Sequence, residues 1–522
     1  MHHPKFKSSI LLARDEQKVA WRLLLIFCLL YIYELANFNI TIDDELVAQS
    51  GICNFADIGR WVPMLLRATL WPQAVVPSGQ LLLFGCAFAV CFIYTVRLWG
   101  MARFGLFHYV AFVAYALFPI WFAQLEFSGN ILPDAVGVLA ATLAALLTVN
   151  APALCAMHHA HRRGWHWRGW RLAGAIACCA VAIGAYQSLG LMYLALVAGA
   201  ALAACIQEPQ PAAWAALVRT ALRALLVLVL GFALSLVIGR LVRLSCHTPL
   251  SPYGLDALHF GRALRHPLHA LLSGIHEIGH LYFSFWHPFG LQPGVTYAAT
   301  VLLCCGAIVV LTARGMRWRV GGMLLVLLLI PVSLSIAGDN SLAPRTFFAG
   351  AAVFLFLLLM AHHLCRGRLQ RGAVLVLALL CGVQGLYINS LQQARGWSAG
   401  RHDLLLAGAI GTDIMRQQQG ADDGSPIYVN FRGSRGFDTG YPSFGSVASG
   451  RSFFEWGGGN TRRIVAYMNI IGYGRLRVLP EEPPGAFDQA YAQMPVWPAP
   501  GSIKRLGNGY LVKLAEPPAP AR

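Results

Sequence analysis

Eleven apolar stretches, each close to the length of one bilayer crossing, restrict this chain to one broad architecture. They fall at about 19–37, 80–98, 106–122, 130–149, 171–186, 188–205, 219–240, 295–313, 320–338, 346–364 and 372–390. A membrane helix needs about 20 mostly apolar residues, and in lipid its backbone polar groups must be satisfied within the segment. The expectation is an all-α polytopic membrane protein with about 11 transmembrane helices. Charged residues are 12% of the chain, against about 25% in soluble domains. The first stretch, Val19 to Ala36, is longer than the roughly 7–15 residues of a signal-peptide core, and no small-residue cleavage site follows. It reads as a retained helix. The aromatic, His-rich segment 258–290 reads as re-entrant or interfacial.

Charge sets an expected orientation. With the N-terminus inside and spans alternating, the inside loops and span ends collect Lys5, Lys7, Arg14, Lys18 and Arg22, then Arg97 and Arg103. Further inside are Arg162, Arg163, Arg168, Arg171, Arg219, Arg223, Arg314, Arg317, Arg319, Arg366, Arg368 and Arg371. The short outer loops keep Arg60, Arg67 and Arg345, and the longer outer segment holds Arg240, Arg243, Arg262 and Arg265. Every inside loop is basic, as the positive-inside rule requires. The net charge of +17 is thus a topology signal. No basic stripe interleaved with aromatics argues for nucleic acid.

The expected organisation has four parts. Residues 1–18 form a cytoplasmic segment, and 19–391 a membrane domain with an outer loop at 38–79 and an outer segment at 242–293. Residues 392–522 form an outer C-terminal domain. There, short β-branched and aromatic runs alternate with Gly and Ser turns, which predicts a small α/β unit. Of thirteen cysteines, only Cys53 and Cys246 lie in outer loops. If that side is an oxidising periplasm, they are free to pair.

The unusual ionisable residues then share one face. Asp43, Asp44, Glu45, Arg60 and Trp61 follow the first span, and Glu126 and Asp134 flank the start of the fourth. Tyr186 and Gln187 end the fifth, and Asp339, Asn340 and Arg345 join the ninth and tenth. Ionisable groups near membrane depth are costly and are functional candidates by default. The set suits group transfer. A carboxylate can act as base on an acceptor hydroxyl, and a guanidinium can grip a phosphate. Trp and Tyr can stack on a sugar at the interface. Two adjacent carboxylates also admit a divalent metal or a raised pKa. No Gly-rich phosphate loop follows a strand, which favours a lipid-linked donor over a nucleotide sugar.

The pattern "NITIDDELVAQSG…FADIGRW", followed by "VPMLLRATLW", resembles the polytopic O-antigen glucosyltransferases of the type II serotype-conversion family, within the GT-C superfamily. "FPIWFAQLEFSGNILPDAVGVLAATLA" and "GAYQSLGLMYL" are similar to that family as well. The resemblance covers roughly residues 20–390. It departs between the third and fourth spans, where Glu126-Phe127 and Asp134 replace an aromatic-plus-Asp pattern. It implies a GT-C-like bundle that moves a sugar, glucose in this family, from a polyprenyl-phosphate donor to a periplasmic glycan such as O-antigen. Asp43 and Asp44 match the acidic pair, Arg60-Trp61 the Gly-Arg-Trp element, and Tyr186-Gln187 a Tyr-Gln. The implied catalytic residues are Asp44 or Asp43. Arg345 and Arg60 are the expected ligands of the donor phosphate. Trp61, Glu126, Tyr186, Gln187, Asp339, His276 and His280 are expected to line the substrate cleft. The implied location is a bacterial inner membrane, with membrane lipids, donor and glycan as partners.

Two motifs compete. His276-Glu277-Ile278-Gly279-His280 is a formal H-E-x-x-H, the zinc signature of metalloproteases. The metzincin extension fails, since Phe283 and Trp286 stand where Gly and His belong. The bland alternative is an interfacial helix beside the cleft. "HHAHRRGWHWRGWR" from His158 has the Arg and Trp spacing of an anchor on anionic lipid. A lipid-linked sugar transporter also explains outer-face charge, but would more often carry repeats with broken helices, and no repeat is visible.

Overall fold

The computed structural model describes residues 11–37, 39–101, 104–149, 165–207, 212–249, 251, 265–283, 294–338, 344–418, 424–441, 448 and 450–516. Helices α1 (Arg14–Leu30) and α2 (Ile32–Ala36) lead into a loop that holds α3 (Asp44–Gln49) and α4 (Trp61–Thr69). The bundle continues with α5 (Pro77–Leu98), α6 (Leu106–Ala116), α7 (Pro119–Leu125), α8 (Ser128–Thr148) and α9 (Trp165–Ala185). Next come α10 (Leu189–Gln207), α11 (Ala212–Ser245), α12 (Pro267–Ile278) and α13 (Gly294–Leu311). Helices α14 (Arg317–Leu329), α15 (Ser333–Gly338), α16 (Phe348–Leu364) and α17 (Arg368–Gln417) complete it.

Among the described residues, five helices, α5, α8, α10, α11 and α17, are long and apolar enough to cross a bilayer, and the bent pair α6–α7 makes a sixth. Shorter apolar helices lie in α9, α13 and α16. Each of the eleven apolar stretches falls on these elements. The first is shared by α1 and α2, the third by α6 and α7, and the ninth by α14 and α15. The breaks have local causes. Pro119 lacks an N–H and disfavours helical geometry at the residue before it. Phe118 is accordingly extended, and the axis turns by 51°. The Tyr31 hydroxyl, at the α1–α2 break, donates to the Ala116 carbonyl at 2.8 Å. One broken helix thereby satisfies a terminal acceptor of another.

Helix α16 is buried along nearly its whole length, and α8 packs between α5 and α9. Helix α17 has 50 residues, about 75 Å at 1.5 Å per residue. Its apolar first half suffices for a crossing, so the rest projects beyond the bundle. The expected boundary at 391/392 lies inside this one helix.

The projecting end carries a small unit. Its sheet runs β2-β1-β4-β3, from β1 (Ile427–Arg432), β2 (Leu476–Val478), β3 (Ile503–Leu506) and β4 (Gly509–Lys513). Strand β1 is parallel to β2 and β4, and β3–β4 is an antiparallel hairpin. Helices α18 (Thr461–Ile470) and α19 (Asp488–Ala492) accompany it. Its core includes Ile410, Val429, Phe454, Ile464 and Val512, and also Ile42 and Phe127 from the loops of the bundle. The unit thus shares a hydrophobic core with the acidic loop.

Cys53 and Cys246 form a disulfide across 193 residues. It joins the first loop to the residue just after α11.

Candidate functional site

The acidic loop is built around Asp44. Its side chain is 1% exposed and sits between the first turn of α3 and the first turn of α8. Oδ1 accepts from the Gly129 N–H at 3.3 Å, and Oδ2 from the Thr41 N–H at 3.3 Å. The Thr41 hydroxyl lies 3.0 Å from Asp44 Oδ2 and 2.6 Å from the Glu126 carbonyl. A hydroxyl has one proton to donate, and a carbonyl only accepts. That proton is shared between Asp44 Oδ2 and the Glu126 carbonyl, both of which accept from the Thr41 hydroxyl. Burial pushes the Asp44 carboxyl up to about 7 against the bonds from Thr41 and Gly129 that lower it.

Asp43 and Glu45 turn the other way, onto the C-terminal unit. Asn460 caps α18 by accepting from the Arg463 N–H, which sets Arg463 in the first turn. Its guanidinium then reaches Asp43 at 2.7 Å and Glu45 at 2.5 Å. The Glu45 side chain is fully buried, whereas that of Asp43 is 44% exposed. Burial raises Glu45 to about 7, with Arg463 opposing. Asp43 adopts φ 85°, the left-handed region uncommon outside Gly, and this turn splits the acidic pair to opposite sides. Arg67, buried, secures the far end of α3 by donating to the Ser50 carbonyl at 2.8 Å.

A second cluster forms beside the loop. The Arg60 guanidinium lies 4.0 Å over the Tyr186 ring, and its Nε donates to Gln187 Oε1 at 3.2 Å. Gln187 Nε2 returns a bond to the Ile58 carbonyl at 2.9 Å, locking loop to helix end. Arg345 stacks 4.6 Å over Phe127. Its own burial works against its charge, but Tyr186, Glu126 and Asp43 outweigh that and hold its pKa up. Two guanidiniums therefore converge on Tyr186, with Asp43 and Glu126 beside one of them. Such a pair offers planar, charge-assisted donors to a phosphate.

The family model described as Glucosyl transferase GtrII matches residues 32–362, well over half the chain. The chain belongs to that family. No individual curated protein and no solved structure matches it. Membership makes this a glucosyltransferase.

Within this family member, Asp43, Arg60, Glu126, Tyr186, Gln187 and Arg345 come together. Asp44 lies just behind them, inside the packing. Trp61 stands apart. Its ring is buried, its Nε1 donates to Ser235 at 3.0 Å, and it presses on Gly184, where a Cβ would lie 2.1 Å from the indole nitrogen. Trp61 thus fixes α4 to α9 and α11. His276 is exposed near the end of α12, next to Glu277. His280 follows in a π-helical turn, Gly279–Phe283, and its side chain lies outside the described residues, as do Asp339, Asn340 and residues 158–164 of the His158 cluster, whose last residues open α9. Among the described residues, no group of three His, Cys, Asp or Glu side chains is placed to hold a metal.

Arg463 and Thr41 are the partners that sequence reasoning missed. Arg463 is 420 positions from Asp43, and nothing local in "GGGNTRRIVAY" beyond its Asn cap singles it out. Thr41, three residues before Asp44, was legible as a side chain able to bond the loop backbone.

Proposed function

We propose that this chain transfers glucose from a polyprenyl-phosphate donor to a glycan acceptor, such as O-antigen, on the periplasmic face of a bacterial inner membrane. The observation that carries the reading is the convergence of Arg60 and Arg345 on Tyr186, with Asp43 and Glu126 alongside. The donor's phosphate sits against the two guanidiniums, at a height set by Tyr186 and by the start of α16. The acceptor O–H attacks C1 of the glucosyl group. Its proton goes to a carboxylate, the new C1–O bond forms, and the bond from C1 to the phosphate oxygen breaks. The lipid phosphate departs with its electron pair onto the guanidiniums, which stabilise the developing charge.

Of the acidic pair, Asp43 is the carboxylate assigned to take the proton. It is half-exposed and faces Arg345. Asp44 is the positioning residue, since both its oxygens are spent on the loop and on α8. The disulfide Cys53–Cys246 favours an oxidising side for this face, in keeping with basic loops on the other.

The test uses purified full-length protein, radiolabelled polyprenyl-phosphate glucose and an acceptor glycan, without nucleotide. Glucose transfer is expected. Asp43→Asn should lower it about 100-fold or more with donor binding kept, and Arg345→Ala should weaken donor binding about tenfold. Absence of any transfer overturns the donor assignment. Full activity in Asp43→Asn overturns the choice of base, and unchanged donor affinity in Arg345→Ala removes the phosphate site.

A further inference from the structure

A cleft of about 100 Å³, open to solvent, lies beside the cluster and is not used by the chemistry above. One wall is α2 with the loop behind it, including Glu34, Asn39 and Thr41. Another is α17, which presents Asn389, Gln392, Gln393, Gly396 and Gly400. Their spacing of three, four, seven and eleven puts them on one stripe of the helix. The third wall comes from the C-terminal unit, through Gly450, Arg451 and Phe453. Glu126 lines the cleft and also faces Arg345, so the cleft opens next to the proposed phosphate site.

The polar groups of this cleft are unusual. Gln393 Nε2 donates to Glu34 Oε1 at 2.6 Å. The other carboxylate oxygen of Glu34 is buried and meets no group within hydrogen-bond geometry. Asn389 Nδ2 also falls outside hydrogen-bond geometry, but its amide faces the Glu34 carboxylate and interacts with it; Gln392 Nε2 and Tyr33 Oη have no partner in the protein. Asn389 is 2% and Gln392 5% exposed. Buried polar atoms are paired in native proteins, and each exception needs an explanation. With Asn389 beside Glu34, the groups left for a ligand are the Gln392 amide, which needs an acceptor, and the Tyr33 phenol, which takes either. A row of hydroxyls supplies both. A phosphate supplies only acceptors, and it would meet Glu34 and Glu126. Tyr31 and Phe122, almost fully buried, close the cleft from the bundle side.

We infer that this cleft binds a saccharide, namely the acceptor glycan, through Gln392 and Tyr33. The identity of that saccharide as acceptor rests on the glucosyltransferase reading; the existence of the binding site does not. The C-terminal unit completes the site. Arg395, buried, donates to the carbonyls of Gly450 at 3.0 Å and Tyr441 at 2.8 Å. Asp403 accepts from the Phe453 N–H at 2.7 Å and the Ser452 hydroxyl at 2.6 Å. Both anchors stand on α17, which therefore holds the third wall against the second.

The experiment measures binding, not transfer. Full-length protein in nanodiscs is titrated with short oligosaccharides released from lipopolysaccharide by mild acid, observed by saturation-transfer NMR. Inorganic phosphate serves as competitor. Two variants are compared. Gln392→Leu removes one amide at nearly constant volume. Gly400→Leu fills the cleft from a helical position where a Cβ meets nothing within 4 Å, and it improves helix propensity, so loss of folding is not its expected effect. Each should weaken oligosaccharide binding tenfold or more, with binding of the polyprenyl-phosphate donor unchanged. Phosphate should not compete. Wild-type affinity in Gly400→Leu, or displacement of the oligosaccharide by phosphate, overturns the proposal. If oligosaccharide binds as expected and no glucose is transferred in the separate assay, the transfer reading fails and the site stands.

Discussion

Asp44 and Asp43 are neighbours with opposite surroundings, and the difference is one of burial. Asp44 is enclosed by Thr41, Gly129 and the start of α8, while Asp43 faces Arg463 and Arg345. A carboxyl near its ordinary value of about 4 in the unfolded chain is raised to about 7 in the fold at Asp44, and likewise at Glu45. The folded protein then holds extra protons between about pH 4 and 7, so this stability is full at acid pH and is lost as pH rises through about 7. Thermal melts should therefore show a midpoint several degrees higher at pH 5 than at pH 8. Asp44→Asn, which mimics the neutral form, should flatten that slope and raise the midpoint at pH 8. A pH-independent midpoint between 5 and 8 in the wild type would show that these carboxyls are not protonated in the fold. The pair "DD" was legible as a candidate; which member is buried was not, because that depends on the packing of α8 against α3.

At the level of elements, α18 and α3 hold the acidic loop between them. Glu45 is fully buried and Arg463 mostly so, and the Gln49 amide adds a bond to the Ala466 carbonyl at 2.6 Å. Removing one partner of a buried ion pair leaves a charge in low dielectric, at a cost of about 3–5 kcal/mol. At pH 8, where Glu45 is charged, Arg463→Ala should destabilise the loop by roughly that amount, discounted for the partial exposure of Asp43. Hydrogen exchange at residues 41–49 should speed up while α5 and α8 are unaffected. The double variant Arg463→Met with Glu45→Gln should recover most of the loss. If Arg463→Ala leaves exchange at 41–49 unchanged, the clamp is not what orders the loop. The helices themselves were legible from apolar length, since each of the eleven stretches lies on helix. Their breaks were less so. Pro119 announced one, but Tyr31 interrupts the first stretch with no proline or glycine beside it.

For the whole molecule, the decisive contacts join segments hundreds of residues apart. The disulfide ties the first loop to the end of α11, and α17 carries the C-terminal unit back onto that same loop. Alkylation with a maleimide under denaturing conditions should label Cys53 and Cys246 only after reduction, as read by peptide mass spectrometry. Labelling of both without reduction would contradict the bond. Apolar run length, the basic loops and the order of "DDE", "GRW" and "YQS" sufficed for the class of protein, the family and most of the polar cluster. Those properties are local: hydrophobicity over twenty residues selects a membrane helix, and short motifs keep their meaning wherever the chain puts them. The tertiary structure alone decided three things. It buried Asp44 and exposed Asp43, it brought Arg463 onto the acidic loop, and it set Glu34 opposite Asn389 and Gln392 across a cleft. Each depends on which surfaces meet, and desolvation and ion pairing are properties of the meeting surfaces rather than of either sequence segment.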